Sequence, residues 1–210
     1  MSEQIALRLN RLKTGYTDGA RHLASRGVRG LVNSRVTPNQ LTALGVALNV
    51  VAAVLIFREA YVAAAVVFLV GSIVDILDGA LARARSQATA FGALLDSTTD
   101  RISEGFVLGA AGLVFARNGE TWALAAVFVA LVASFLVSYM RARAEALGLE
   151  GKAGLMGRAE RVVLLTAILF AAPFGALPYG IAFMAVVTSA TVVQRIVSIH
   201  QQLSEDPTRE

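Results

Sequence analysis

The sequence contains no cysteine and only two histidines, and charged side chains occupy only 16% of its 210 positions. The missing cysteine excludes disulfides, thiol catalysis and thiolate metal ligands, so any metal must be held by oxygen or by the histidines. The shortage of charge excludes an ordinary soluble domain, in which roughly 25% of residues are charged. With 56% hydrophobic residues, this chain belongs in a bilayer. Internal repeats and low-complexity linkers are also missing, which points to one domain at 37–200, a basic segment before it at 1–36 and a polar tail at 201–210. The first 35 residues lack the apolar core and small-residue cleavage site of a signal peptide, so the first apolar run is the expected insertion signal.

What the chain does have is six apolar runs, Asn39 to Phe57, Tyr61 to Leu81, Phe91 to Ala116, Trp122 to Leu147, Ala159 to Phe174 and Tyr179 to Ile199. A helix needs roughly 17 to 25 such residues to cross about 30 Å of hydrocarbon. The connections "FREAY", "ARNGET" and "AAPFGALPYG" are short enough only for tight turns between antiparallel neighbours, which puts them on one membrane face. Of 19 Lys and Arg, only Arg58 and Arg117 fall on that face and Arg101 within a run; all others lie on the opposite side. The positive-inside rule then places both termini of a multi-pass plasma-membrane protein in the cytoplasm. The expected fold is all-α, with six transmembrane helices. Ahead of them, residues 5–35 mix Ile5, Leu7, Leu9, Leu12, Tyr16, Leu23, Val28 and Leu31 with basic side chains, which predicts an amphipathic juxtamembrane helix. The net charge of +4 calls for anionic lipid headgroups rather than nucleic acid, because the basic residues flank the apolar runs.

One stretch breaks the apolar pattern. "VDILDGALARARSQATAFGALLDSTTD", Val74 to Asp100, carries four aspartates. Asp75 and Asp78 are three apart and Asp96 and Asp100 four apart, so each pair shares one face of its own helix and the pairs can face each other. Unpaired, the four would oppose membrane insertion by roughly 10 kcal/mol. Salt bridges to Arg83, Arg85 and Arg101 are the structural alternative, but four acids exceed what these can neutralise, and Arg101 has an i,i+3 partner in Glu104. Hard oxygen ligands suit Mg²⁺, Mn²⁺ or Ca²⁺. Four carboxylates can hold two such ions, a recurrent device for phosphoryl chemistry, and a phosphate-bearing substrate follows. Gly79 and Ala82 would let a ligand approach the backbone, Arg83 can pair with phosphate oxygens, and Gly92 bares the same face as Asp96.

These residues resemble the CDP-alcohol phosphotransferase family, whose motif D-x2-D-G-x2-A-R-x8-G-x3-D-x3-D is matched by Asp75, Asp78, Gly79, Ala82, Arg83, Gly92, Asp96 and Asp100. The resemblance implies six transmembrane helices behind a juxtamembrane helix, generally as a homodimer. It further implies that Asp75, Asp78, Asp96 and Asp100 bind two divalent ions, Mg²⁺ or Mn²⁺, on the diphosphate of a CDP-linked lipid such as CDP-diacylglycerol, with Asp100 as the general base. Gly79, Ala82, Arg83, Thr89 and Gly92 would contact the CDP moiety, as would Asn39 and Thr42 of "VTPNQLT", similar to the family's P-[DN]-x2-T segment. In the same segment Thr37 and Pro38 read as a helix cap and first turn.

The acceptor has to be read elsewhere. "SYMRARAEALGLEGKAGLMGRAER" and "TVVQR" resemble phosphatidylinositol phosphate synthases, in which a basic residue of S-Y-x-[KR]-A-R-A-E, the second Arg of E-R-x-E-R and the Arg of V-Q-R bind the phosphate of inositol phosphate. The matching residues are Arg141, Arg161 and Arg195; Arg143, Lys152 and Arg158 read equally well as topology signals. Two departures stand out, Arg141 where many of these synthases have Lys and Gly157 where they often have Glu. The implied reaction joins CDP-diacylglycerol to inositol 1-phosphate, giving phosphatidylinositol phosphate and CMP. An ether-linked archaeal-type donor and a glycerophosphate acceptor are the alternatives within the chemistry. A divalent-cation transporter is the alternative outside it, although the acids flank the cytoplasmic linker "RARSQATA" rather than the bilayer midplane where transport sites lie.

Overall fold

The computed structural model describes residues 30–205, and every regular element among them is helical. Most of the predicted juxtamembrane segment, residues 1–29, and the tail at 206–210 lie outside the described residues. Six long helices follow in order: α1 (Pro38–Phe57), α2 (Tyr61–Ala84), α3 (Ala90–Asn118), α4 (Thr121–Ala146), α5 (Arg158–Ala171) and α6 (Leu177–Glu205). A single 3₁₀ turn, Ala172–Phe174, extends α5. These limits lie close to the apolar runs except at the end of α6, which continues through the polar "HQQLSE".

Local chemistry fixes the helix ends nearest the acidic stretch. Thr37 caps α1, its hydroxyl accepting from Gln40 N while the Gln40 side chain accepts from Thr37 N, and Pro38 occupies the first turn. Thr89 caps α3 by accepting from Gly92 N at 3.0 Å. At the opposite end the turns are tight. Glu59 and Gly119 take positive φ, Arg117 pairs with Glu59 and lies 5.1 Å above the Phe57 ring. Trp122 and Tyr179 pack at that end with ring centroids 5.5 Å apart and planes tilted by 42°; amphipathic rings gather at membrane–water interfaces.

The interior is built from small residues. Ala52, Ala53, Ala64, Ala65, Ala110, Ala111, Ala123 and Ala130 are buried around Phe68, Phe115 and Leu169, so the helices approach closely where the surrounding solvent supplies no hydrophobic drive. Larger apolar residues such as Val54, Val62, Leu113, Phe128 and Phe183 point outward. Four helices, α1, α2, α4 and α6, are long and apolar enough to cross a membrane. By the same measure α3 is too polar in its first half, where Asp96, Asp100, Arg101 and Glu104 lie, and α5 is only 14 residues long.

Packing places the acidic stretch. Helix α1 lies against both α2 and α3, whereas α2 and α3 barely touch each other. Two glycines let α1 and α2 approach closely: a Cβ on Gly45 would lie 3.3 Å from Gly71 O and 3.5 Å from Asp75 Cβ. The two carboxylate-bearing helices are thus held by a common neighbour and leave an opening between them.

Candidate active site

At that opening Asp75, Asp78 and Asp96 present carboxylate oxygens that all lie within 4.8 Å of one another. Asp75 and Asp78 are buried, at 6% and 3% exposure. Thr42 reaches across from α1 and donates to Asp78 Oδ2 at 2.5 Å, which fixes that carboxylate's rotamer. Oxygens this close fit a hard divalent cation, since opposite ligands on Mg²⁺ are about 4.2 Å apart given metal–oxygen bonds near 2.1 Å.

Asp100 is not one of these three, but its carboxylate adjoins that of Asp75. The Arg158 guanidinium lies between it and Asp75: one nitrogen, Nη2, bonds Asp75 Oδ2 at 2.5 Å and forms an ion pair with Asp100 Oδ1. Neither Arg83, Arg85 nor Arg101 makes such a bridge. Arg85 instead donates to four carbonyls of the segment before α1, those of Leu31, Val32, Ser34 and Val36, at 2.5 to 3.1 Å. Arg101 donates to Ser97 O in its own helix.

Two cavities meet at Asp96. The first, about 370 Å³, is bordered by Asn39, Thr42, Gly79, Ala82, Arg83, Thr89 and Gly92, all of the residues expected to contact a CDP moiety. The close contacts explain two of the glycines: a Cβ on Gly79 would approach the Arg83 guanidinium to 3.3 Å, and one on Gly92 the capping Thr89 hydroxyl to 3.1 Å. The second cavity, about 500 Å³, is bordered by Arg141, Arg161 and Arg195 together with Asp96, Asp100 and Arg158.

The three arginines expected to bind the acceptor are held differently. Arg161 is buried at 2% exposure. Its Nε and Nη2 donate to Glu104 at 2.6 and 2.9 Å, and its Nη1 is buried without a hydrogen-bond partner. Glu104 therefore pairs with Arg161 on α5 rather than with Arg101, because a helix four residues beyond Asp100 turns the same face toward the site. Arg195 donates through Nε to Ala153 O at 2.8 Å and through Nη1 to Val137 O, which ties the connection between α4 and α5 to α6. Gln194, Thr191 and Gln202 anchor the same connection through Leu155 N, Met156 N and Glu150 N. Arg141 is exposed and pairs with Glu145 at 2.9 Å. Gly157, the position of the departure from Glu, is the N-cap of α5; a Cβ there would come within 2.7 Å of Glu160 Oε2. The small residue lets Glu160 fold over the helix N-terminus, where negative charge is favoured.

Two contributors escaped the sequence reading. Glu104 had a signal, the i,i+4 continuation of Asp96 and Asp100 along α3. Arg158 had none beyond its position at a helix start.

A bundle of apolar helices that gathers carboxylates at one end, between a nucleotide-sized cavity and an arginine-lined one, is the arrangement of a membrane-embedded phosphoryl-transfer enzyme. The family follows from comparison: residues 35–194 match the CDP-alcohol phosphatidyltransferase family, and the chain belongs to it as a CDP-alcohol-dependent phosphotransferase of phospholipid synthesis. The chain is 37% identical to a phosphatidylinositol phosphate synthase of Mycobacteroides abscessus over 178 residues, 80% of either chain. It is 34% identical to an archaetidylinositol phosphate synthase of Pyrococcus horikoshii over 177 residues, 82% of this chain and 88% of that one. Its fold is similar to the crystal structure of Mycobacterium tuberculosis phosphatidylinositol phosphate synthase with CDP-DAG bound. The TM-score is 0.77 at 34% identity, over 85% of this chain and 94% of that one. The same mycobacterial enzyme in complex with manganese and citrate aligns with a TM-score of 0.75 at 34% identity, over 84% of this chain and 88% of that one.

Proposed function

We propose that this enzyme transfers the phosphatidyl group of CDP-diacylglycerol to inositol 1-phosphate, giving phosphatidylinositol phosphate and CMP. The observation that carries the reading is the meeting of two unlike cavities at Asp96, one bordered by small residues and Arg83, the other by Arg141, Arg161 and Arg195. A nucleotide diphosphate suits the first and a phosphomonoester the second. The unpartnered Nη1 of Arg161 supports an anion there, because a buried donor without an acceptor is costly. Similarity to synthases named for inositol phosphate headgroups supports the same acceptor.

Asp75, Asp78, Asp96 and Asp100 would hold two divalent ions, Mg²⁺ or Mn²⁺, and the manganese complex of the mycobacterial relative supports that choice. Such ions supply positive charge for the diphosphate and the departing CMP. Asp100, between the carboxylate cluster and the arginine-lined cavity, takes the proton of the acceptor hydroxyl. The freed oxygen attacks the lipid-side phosphorus, the diphosphate P–O bond breaks and CMP leaves with its electron pair. Asn39, Thr42, Arg83 and Thr89 orient the donor, and Arg141, Arg161 and Arg195 orient the acceptor phosphate.

We read all six helices as membrane spans with the site and both termini on the cytoplasmic side, and the protein as a homodimer, as the family resemblance implies. An ether-linked donor is the second reading, supported by the archaetidylinositol phosphate synthase; it shares the headgroup chemistry. The test is CMP release by the purified protein with CDP-diacylglycerol or its ether analogue, Mg²⁺, and separately inositol 1-phosphate, glycerol 3-phosphate, inositol or serine. Inositol 1-phosphate should give the highest kcat/KM, and a preference for glycerol 3-phosphate would replace it as the acceptor.

A further inference from the structure

Among the described residues Arg158 is the one cation that bridges the two halves of the aspartate set, and its place is unusual. It is the first residue of α5, where the helix dipole disfavours positive charge. What holds it there is the pair of carboxylates, Asp75 at 6% and Asp100 at 14% side-chain exposure, both on the same guanidinium nitrogen. Arg158 itself is 37% exposed and borders the arginine-lined cavity. Arg161, three residues along the same helix, borders it too, and residues at this spacing have Cβ atoms only about 5–6 Å apart. The guanidinium therefore has two destinations within reach of one side chain, the carboxylates of Asp75 and Asp100 or the cavity beside Arg161.

We infer that Arg158 couples the two substrate sites: it competes with divalent ions for Asp75 and Asp100 and, once displaced, completes the cation set that binds the acceptor phosphate. The inference rests on the reading of the four aspartates as ion ligands. The guanidinium holds Asp75 Oδ2 and Asp100 Oδ1 and sets a positive charge beside any ion at this pair, so the bridge weakens ion binding there even though each carboxylate keeps other lone pairs. Displacement also frees Asp100, which the bridge otherwise occupies. Acceptor binding is then strengthened by ion binding, and by linkage the reverse holds by the same factor.

The experiment uses the full chain in detergent without CDP-lipid, so that no turnover occurs. Mn²⁺ affinity is read by electron paramagnetic resonance and inositol 1-phosphate affinity by calorimetry, with and without saturating Mn²⁺. Arg158→Gln should bind Mn²⁺ about tenfold more tightly, the equivalent of one lost charge-assisted contact. Its affinity for inositol 1-phosphate should fall about tenfold with Mn²⁺ present and be unchanged without it. Arg158→Lys, which keeps the charge but not the planar fork, should fall between, and it serves if the glutamine variant does not fold. Arg117→Gln removes a cation at the opposite end of the bundle and should leave the response of inositol 1-phosphate binding to Mn²⁺ intact. Unchanged Mn²⁺ affinity in the Arg158 variants, or equal loss of inositol 1-phosphate binding with and without Mn²⁺, would overturn the coupling alone. Failure of the unaltered protein to bind Mn²⁺ would overturn the ion-ligand reading as well.

Discussion

Glu104 on α3 grips Arg161 on α5 through two hydrogen bonds, 2.6 and 2.9 Å long, so that a partly buried carboxylate sets the direction of a buried guanidinium whose remaining nitrogen is free for an anion. Removing one partner of a buried pair costs about 3–5 kcal/mol. Glu104→Gln and Arg161→Ala should both lower the thermal unfolding temperature. They should differ in kinetics: Arg161→Ala is expected to raise the KM for inositol 1-phosphate about tenfold or more, as loss of a charge-assisted bond requires, and the KM for the CDP-lipid little. Equal changes in both constants would remove Arg161 from the acceptor site.

Asp100 is predicted to act in proton transfer rather than in holding the protein together. Asp100→Asn should lower kcat by about 10²- to 10⁴-fold, while Asp75, Asp78 and Asp96, which cluster without it, still retain Mn²⁺ detectable by magnetic resonance. Turnover at the level of the unaltered protein would contradict the role.

Thr42 donates to Asp78 at 2.5 Å within the buried end of the α1–α2 pair. Thr42→Val keeps the shape and removes the hydroxyl, leaving a buried acceptor unpaired at a cost of about 1–3 kcal/mol. Stability should fall by that amount in a denaturation measurement, and the KM for the CDP-lipid should rise while that for the acceptor holds.

Arg85 fastens the segment before α1 through the carbonyls of Leu31, Val32, Ser34 and Val36, and Thr37 and Asn39 at the donor cavity follow directly. Arg85→Met should loosen this segment, seen as faster amide exchange at 31–36, and raise the KM for the CDP-lipid several-fold. Lost bonds of this type contribute about 1.5–3 kcal/mol when buried, less at this half-exposed position.

Much of this was legible in the chain. The apolar runs mark the helices because a bilayer demands long apolar segments, and the Thr37–Pro38 cap and the Thr89 cap follow from local chemistry alone. The helical spacing of Asp75, Asp78 and Asp96 was enough to foresee a cluster. Partner choice was not legible. Arg101 and Glu104 are neighbours in sequence, but Glu104 turns to Arg161, 57 positions away, while Arg101 donates to Ser97 O; two hydrogen bonds to one guanidinium offset the desolvation of the buried pair. Arg158 read as a topology signal, since only the packing of α5 against α2 carries its side chain between Asp75 and Asp100. The spans themselves were read evenly, yet α3 and α5 fall short of the length and apolarity of the other four because these two contribute much of the charge at the site.

The fate of the acceptor's phosphate tests the central claim most directly. Inositol 1-phosphate labelled with ³²P is incubated with the purified protein, CDP-diacylglycerol and Mg²⁺, and the label is followed into the organic phase as CMP appears. Label in a lipid phosphomonoester, equimolar with CMP and abolished in Asp96→Asn, is the predicted result. CMP release with the label left in water, or equal lipid formation from unphosphorylated inositol, would contradict it.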